Sequence, residues 1–81
     1  KLEGTNSFTV NDIYYDEINQ VLLLSVGSGG VLIYNWNGLS SNPNFIGHIV
    51  SSHAYTARIF NNKYVVIATK YGVEIYNYEN I

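Results

Sequence analysis

The feature that most restricts how this chain can fold is an internal repeat. Sliding the sequence against itself by 42 residues places Gly30-Val31-Leu32-Ile33-Tyr34-Asn35-Trp36 over Gly72-Val73-Glu74-Ile75-Tyr76-Asn77-Tyr78. Five of the seven pairs are identical, and a sixth matches aromatic to aromatic. Asn19 falls on Asn61 in the preceding turn, and the apolar run 21–26 falls on 63–68. Across the whole overlap only six of 39 pairs are identical. The identities cluster, however, and runs and turns follow the same order in both copies. A fixed period of this length marks a repeat architecture.

The repeated unit reads as strands. No stretch sustains an i, i+3, i+4 apolar pattern, and Ala occurs only at 54, 57 and 68. Val, Ile, Thr, Tyr, Phe and Trp instead gather in short runs separated by Gly, Asn, Ser or Asp. Strands are expected near 10–15, 20–26, 31–36, 45–50, 54–60, 63–69 and 72–78, with an outer strand at 2–8. Hairpin connections are expected at residues 16–20, 27–30, 61–62 and 70–72, with Gly supplying positive φ. Pro43 sits in the polar loop 37–44, where it breaks no ladder. The runs 21–26 and 64–68 are continuously apolar, so both strands are expected to be covered on two faces. Val73-Glu74-Ile75-Tyr76 alternates, so one of its faces should be wetter.

Each period then holds about four strands, which is the content of a β-propeller blade of roughly 40–45 residues. The expected fold is all-β: two four-stranded antiparallel blades within one β module spanning 1–81, approximately residues 1–42 and 43–81, outer strand first. Two blades cannot close a ring, and their open edges would be sticky. The chain begins at Lys1 and contains no Met, so a processed or excised piece is expected. The blades are accordingly expected to belong to a larger propeller, or to a tandem or oligomeric assembly; three copies would supply six blades. A small open sandwich of seven strands is the alternative. The repeated central strand favours blades.

Here a family resemblance enters. Gly30-Val31-Leu32-Ile33-Tyr34-Asn35 and Gly72-Val73-Glu74-Ile75-Tyr76-Asn77 resemble the G-G-L-x-I-x-D core of LVIVD-type β-propeller repeats. Ser41-Asn42-Pro43-Asn44-Phe45-Ile46-Gly47 resembles that family's S-N-P-x-x-V-G entry into the outer strand. The chain departs from the pattern at Asn35 and Asn77, where the family has an acidic residue; Asn can make the same type of turn cap. The resemblance implies a binding or scaffolding role, with an extracellular or cell-surface setting, and it carries no catalytic residues to transfer.

Composition removes other classes. Charged residues are 12% of the chain, against roughly 25% in an average domain. Four scattered basic residues make no footprint for nucleic acid. The longest run of Val, Ile and Leu is four residues, so no membrane span is expected. With 47% hydrophobic residues the chain is too apolar for disorder. No Cys is present, which excludes disulfides and thiol chemistry. Residues 2–10 hold no apolar signal-type run, and no N-glycosylation sequon occurs.

Candidate chemistry is sparse. His48 and His53 are five residues apart, whereas ligands on one strand face need i, i+2 spacing. Asp16 and Glu17 read as solvated turn residues, and Asp12 as a hydrogen-bonded strand residue. Val26-Gly27-Ser28-Gly29-Gly30 lacks the Lys-Ser/Thr of a phosphate loop and reads as a turn. No catalytic site, metal site or cofactor is expected, and the chain is read as a non-enzyme. The candidate binding residues are Trp36 and Tyr78, at equivalent ends of the repeated strand, with Asn35 and Asn77 beside them. Asn37 and Asn80 lie nearby. An aromatic ring edged with amides suits inter-blade packing, a protein interface or a sugar. Tyr14, Tyr15, Tyr55, Tyr64 and Tyr71 are expected mostly to pack. The function expected is a structural, scaffolding or protein-interaction module, and the alternative is a lectin-like module that binds carbohydrate. Expected partners are copies of itself or further blades of a longer chain, with glycans under the alternative.

Overall fold

The computed structural model describes residues 8–78. Seven strands follow one another: β1 (Asp12–Asp16), β2 (Val21–Ser25), β3 (Val31–Asn35), β4 (Asn44–Ile49), β5 (Ala54–Phe60), β6 (Tyr64–Thr69) and β7 (Gly72–Asn77). All seven lie where the β-rich runs place them, and no helix forms among the described residues. The outer strand expected at 2–8 falls, apart from Phe8, outside the described residues. Two antiparallel sheets result, with orders β1-β2-β3-β4 and β5-β6-β7, and neither closes on itself. Both are simple meanders. The four-stranded sheet therefore runs from Asp12 to Ile49, with β4 hydrogen-bonded to β3.

The turns follow local chemistry. Asn61 and Asn62 both have positive φ in a turn closed by Lys63 N–H to the Phe60 carbonyl, the pairing that suits the right-handed twist of a hairpin. Asp16 departs from its expected solvated place: it ends β1 and is buried. Its carboxylate accepts from the backbone N–H of Ile18 (3.0 Å) and Asn19 (3.3 Å) and from the Asn19 side chain (2.7 Å), so burial leaves little of it unpaired. Gly30 needs its lack of a side chain twice over. Its φ is +80°, and a Cβ would stand 2.1 Å from the Ile49 carbonyl oxygen on β4.

The core lies between the sheets. Val21, Leu23, Val31, Ile33 and Ile49 of the first sheet meet Ala54, Ala57, Ile59, Val65 and Ile67 of the second. β5 is the strand of the second sheet whose backbone comes close, and it lies over β1 and β2. Its small Ala54 and Ala57 permit that approach. Farther from β5, Tyr76 and Tyr78 supply long side chains against the same core. Tyr76 extends its hydroxyl to Glu74 (3.0 Å) and to the Val50 carbonyl (3.4 Å). The far side of the first sheet carries its own cluster, Leu22, Leu24, Val26, Leu32 and Tyr34, with Tyr15 and Trp36 against it. β2 is thus buried on both faces, as its unbroken apolar run implies.

β6 departs from the expected two-sided cover, while β7 has one wetter face, as expected. β6 alternates, with Val65 and Ile67 buried but Tyr64, Val66 and Ala68 half-buried. On β7 it is the apolar pair that stands in solvent. Val73 and Ile75 are 67% and 64% exposed, while Tyr76 turns to the core. The cause is register. Val73 pairs with Ala68 and Ile75 with Val66 on the side away from the first sheet; Glu74 pairs with Ile67 and Tyr76 with Val65 on the side facing it. No described element covers the outer side.

Candidate interaction surfaces

The ladders fix which residues of the two sheets correspond. Tyr14, Leu23 and Ile33 form one cross-strand row; Arg58, Val66 and Ile75 form its counterpart. Ile13, Leu24 and Leu32 likewise correspond to Ala57, Ile67 and Glu74. The first sheet turns its Ile33 row toward the second. The second turns its Ala57 row toward the first. Unlike sides are therefore in contact, and the sheets stack in the same sense rather than back to back.

The expected aromatic pair is split by this arrangement. Trp36 lies on the outer cluster of the first sheet, edge-to-face with Tyr15 at 5.3 Å between ring centres. Tyr15 donates its hydroxyl to the Trp36 carbonyl at 2.8 Å. The Trp36 indole N–H donates to the Ser40 carbonyl at 2.8 Å. Asn35 donates its amide to the Gln20 carbonyl at 3.3 Å, and the Asn37 side chain accepts from Leu39 and Ser40 backbone N–H groups. These contacts hold the loop after β3 in place. Tyr78 packs instead against the inter-sheet core, its backbone N–H on the Lys63 carbonyl at 2.6 Å. Burial, and secondarily the Asp16 carboxylate, raise its phenol pKa. Asn77 is half-buried opposite Tyr64. Asn80 lies outside the described residues. The two equivalent aromatics thus belong to different clusters. Among the other tyrosines, Tyr14 and Tyr15 pack as expected, whereas Tyr55, at a bulge in β5, and Tyr71, in the β6–β7 turn, are exposed.

A polar cluster unsignalled by any motif spans the sheets. The Asp12 carboxylate accepts from the Thr56 hydroxyl at 2.5 Å and from Arg58 Nη1 at 2.7 Å. The Arg58 guanidinium lies 4.9 Å from the centre of the Tyr14 ring. The Thr56 hydroxyl first, and Arg58 next, hold the Asp12 carboxyl below its ordinary value. Asp12 and Arg58 are 46 residues apart, so only the fold brings them together.

Charge is divided between the sheets. Among the described residues, Asp12, Asp16 and Glu17 belong to the first sheet and its first turn, which hold no Lys or Arg. Arg58, Lys63 and Lys70 belong to the second, with Glu74. The Lys63 ammonium rests 5.4 Å from the Tyr64 ring centre on the outer side of that sheet.

At one end of the molecule, Phe8, Asn11, Gly27, Ser28 and His53 line a hollow of about 270 Å³. Within it Asn11 donates to the Ala54 carbonyl, and the His53 ring packs edge-on against Tyr55. His48 lies apart on β4, donating Nε2–H to the Gly29 carbonyl. No three His, Asp or Glu side chains gather as a metal site among the described residues, and no helix there is long and apolar enough to cross a membrane. Comparison with family models, with curated proteins and with solved structures returns no match.

Proposed function

We propose that this chain is a structural and protein-interaction module, two blades of a β-propeller-type repeat of the LVIVD kind, that works by association with further copies or blades in an extracellular or cell-surface setting. The observation that supports this reading is the same-sense stacking of the two sheets. A pseudo-two-fold sandwich would place Ile33 and Ile75 in one core. Here Ile33 is buried and its counterpart Ile75 is exposed. A stack of like units has unlike ends, and one such end is an apolar sheet face in solvent. The approach of β5 with its small alanines, against the tyrosines farther out, is also the taper that neighbouring blades need. The carbohydrate alternative has less support, because the Trp36 indole N–H and the amides of Asn35 and Asn37 are committed to holding their own loop.

The test is the native mass of the 81-residue chain across a concentration series, by light scattering. Growth from 9.1 kDa to a multiple of it is the expected result. A monodisperse monomer at every concentration would overturn the reading.

A further inference from the structure

We infer that the outer face of the three-stranded sheet is the docking surface for the four-stranded sheet of a second copy of this chain, joined head to tail as the two sheets are joined within one chain. This rests on the module reading above and specifies its surface, partner and polarity.

Three observations carry it. The first is positional. Val31 and Ile33 sit on a face that is fully covered, and what covers it is the Ala57 side of the neighbouring sheet. Val73 and Ile75 hold the same positions one repeat later, exposed and with no described element above them. Phe60 extends the apolar surface at the same outer face, more than half exposed. Apolar residues that the repeat keeps at an interface, left in water at the end of the stack, mark where another sheet would lie.

The second concerns the opposite end. Ile13 corresponds to Ala57, the position through which the second sheet touches the first. Ala57 is buried, whereas Ile13 is 61% exposed on the outer side of the first sheet. Phe45, beside Tyr34 on that side, is also accessible. Leu24, Leu32 and Tyr34 beneath them are already buried, so the docking contact is made by this accessible layer.

The third is charge. Exposed Lys63 rests beside Tyr64 on the outer side of the sheet that carries Ile75, and exposed Glu17 lies in the first turn of the sheet that carries Ile13, whose Asp12 and Asp16 are already engaged within the chain. Within the chain this polarity is already used, since Arg58 of the second sheet bridges to Asp12 of the first. Head-to-tail docking brings basic sheet to acidic sheet. Two Ile75 faces brought together about a two-fold axis would oppose like charges.

Cysteine is absent, so single cysteines report contact without background. The full 81-residue chain is made as Ile13→Cys and as Ile75→Cys, both at exposed positions, and the two are mixed under mild oxidation. The expected product is a mixed disulfide between them, well above either like-with-like product. Ile75→Lys in the same chain should lose the higher-mass species in light scattering. An excess of Ile75→Cys paired with itself overturns the head-to-tail polarity. A higher native mass without the mixed disulfide, and unchanged by Ile75→Lys, overturns the assigned surface while leaving the module reading standing. A monomer throughout overturns both.

Discussion

Val31 and Val73 hold the same place in the repeat and opposite places in the structure: Val31 is sealed in the core between the sheets, and Val73 stands 67% exposed on the far side of the second sheet. A shared sequence position has therefore produced two energetic environments. The neighbouring pair Ile33 and Ile75 repeats the relationship and gives it a measurable form.

Ile33→Ala should destabilise the chain by about 3 kcal/mol, the usual loss when a buried aliphatic side chain leaves a cavity. Ile75→Ala should change stability by no more than about 0.5 kcal/mol, because an exposed side chain gives up little burial. Denaturant titrations at low protein concentration will compare them. Equal costs would contradict the exposed placement of Ile75.

The two equivalent glycines should differ in the same manner. Gly30→Ala forces a Cβ onto the Ile49 carbonyl at positive φ, and roughly 3 kcal/mol or more should be lost from strain and crowding together. Gly72 also has a positive φ, but nothing lies within 4 Å of an added Cβ. Gly72→Ala should therefore cost only its backbone strain, roughly 1–2 kcal/mol. Thermal melts of both variants check the order.

Ala57 is the test of close approach. Ala57→Leu adds bulk where β5 lies over the first sheet and should cost about 1–3 kcal/mol through overpacking. Ala68→Leu, half-buried on the outer side, should be nearly neutral. Amide exchange in β1 and β5 would rise in the first variant and stay unchanged in the second.

Acid sensitivity should trace in part to Asp12. Its folded-state pKa is depressed, chiefly by the Thr56 hydroxyl and then by Arg58. Its contribution is therefore present above the ordinary Asp value of 3.8 and is lost as pH falls below it, through the folded value. The Asp12 and Arg58 side chains are 31% and 42% exposed, so solvent screens the pair and the effect is small. Stability measured from pH 6 downward should fall less steeply in Asp12→Asn than in the natural chain, over the range below about 4. Identical slopes would show that the carboxylate holds no folded-state advantage.

Much of this was legible in the sequence, and the exceptions have physical causes. Strand positions follow from β-branched and aromatic runs cut by Gly and Asn, and these local signals placed all seven described strands. The double burial of β2 followed from its unbroken apolar run. The similar run in β6 did not predict the same, because composition records which faces are apolar and not which are covered. The alternation of Val73, Glu74, Ile75 and Tyr76 announced two unlike faces, but which face meets water depends on stacking sense, which no local pattern encodes. Trp36 and Tyr78 matched by position and were parted by packing for the same reason. Asp16 read as a turn residue; its burial depends on hydrogen bonds made only once the turn closes. The cluster of Asp12, Thr56 and Arg58 joins two strands far apart in sequence, with no spacing to reveal it.

The approach of β5 through Ala54 and Ala57 has a geometric consequence. If every neighbouring pair of sheets repeats the inclination set there, the number of units that brings the last against the first is fixed by that angle alone. An angle dividing a full turn evenly yields a closed circle of definite size; any other yields a spiral without end. Two alanine side chains would then act as a protractor, and enlarging either would open the angle at the same contact whose firmness it lowers.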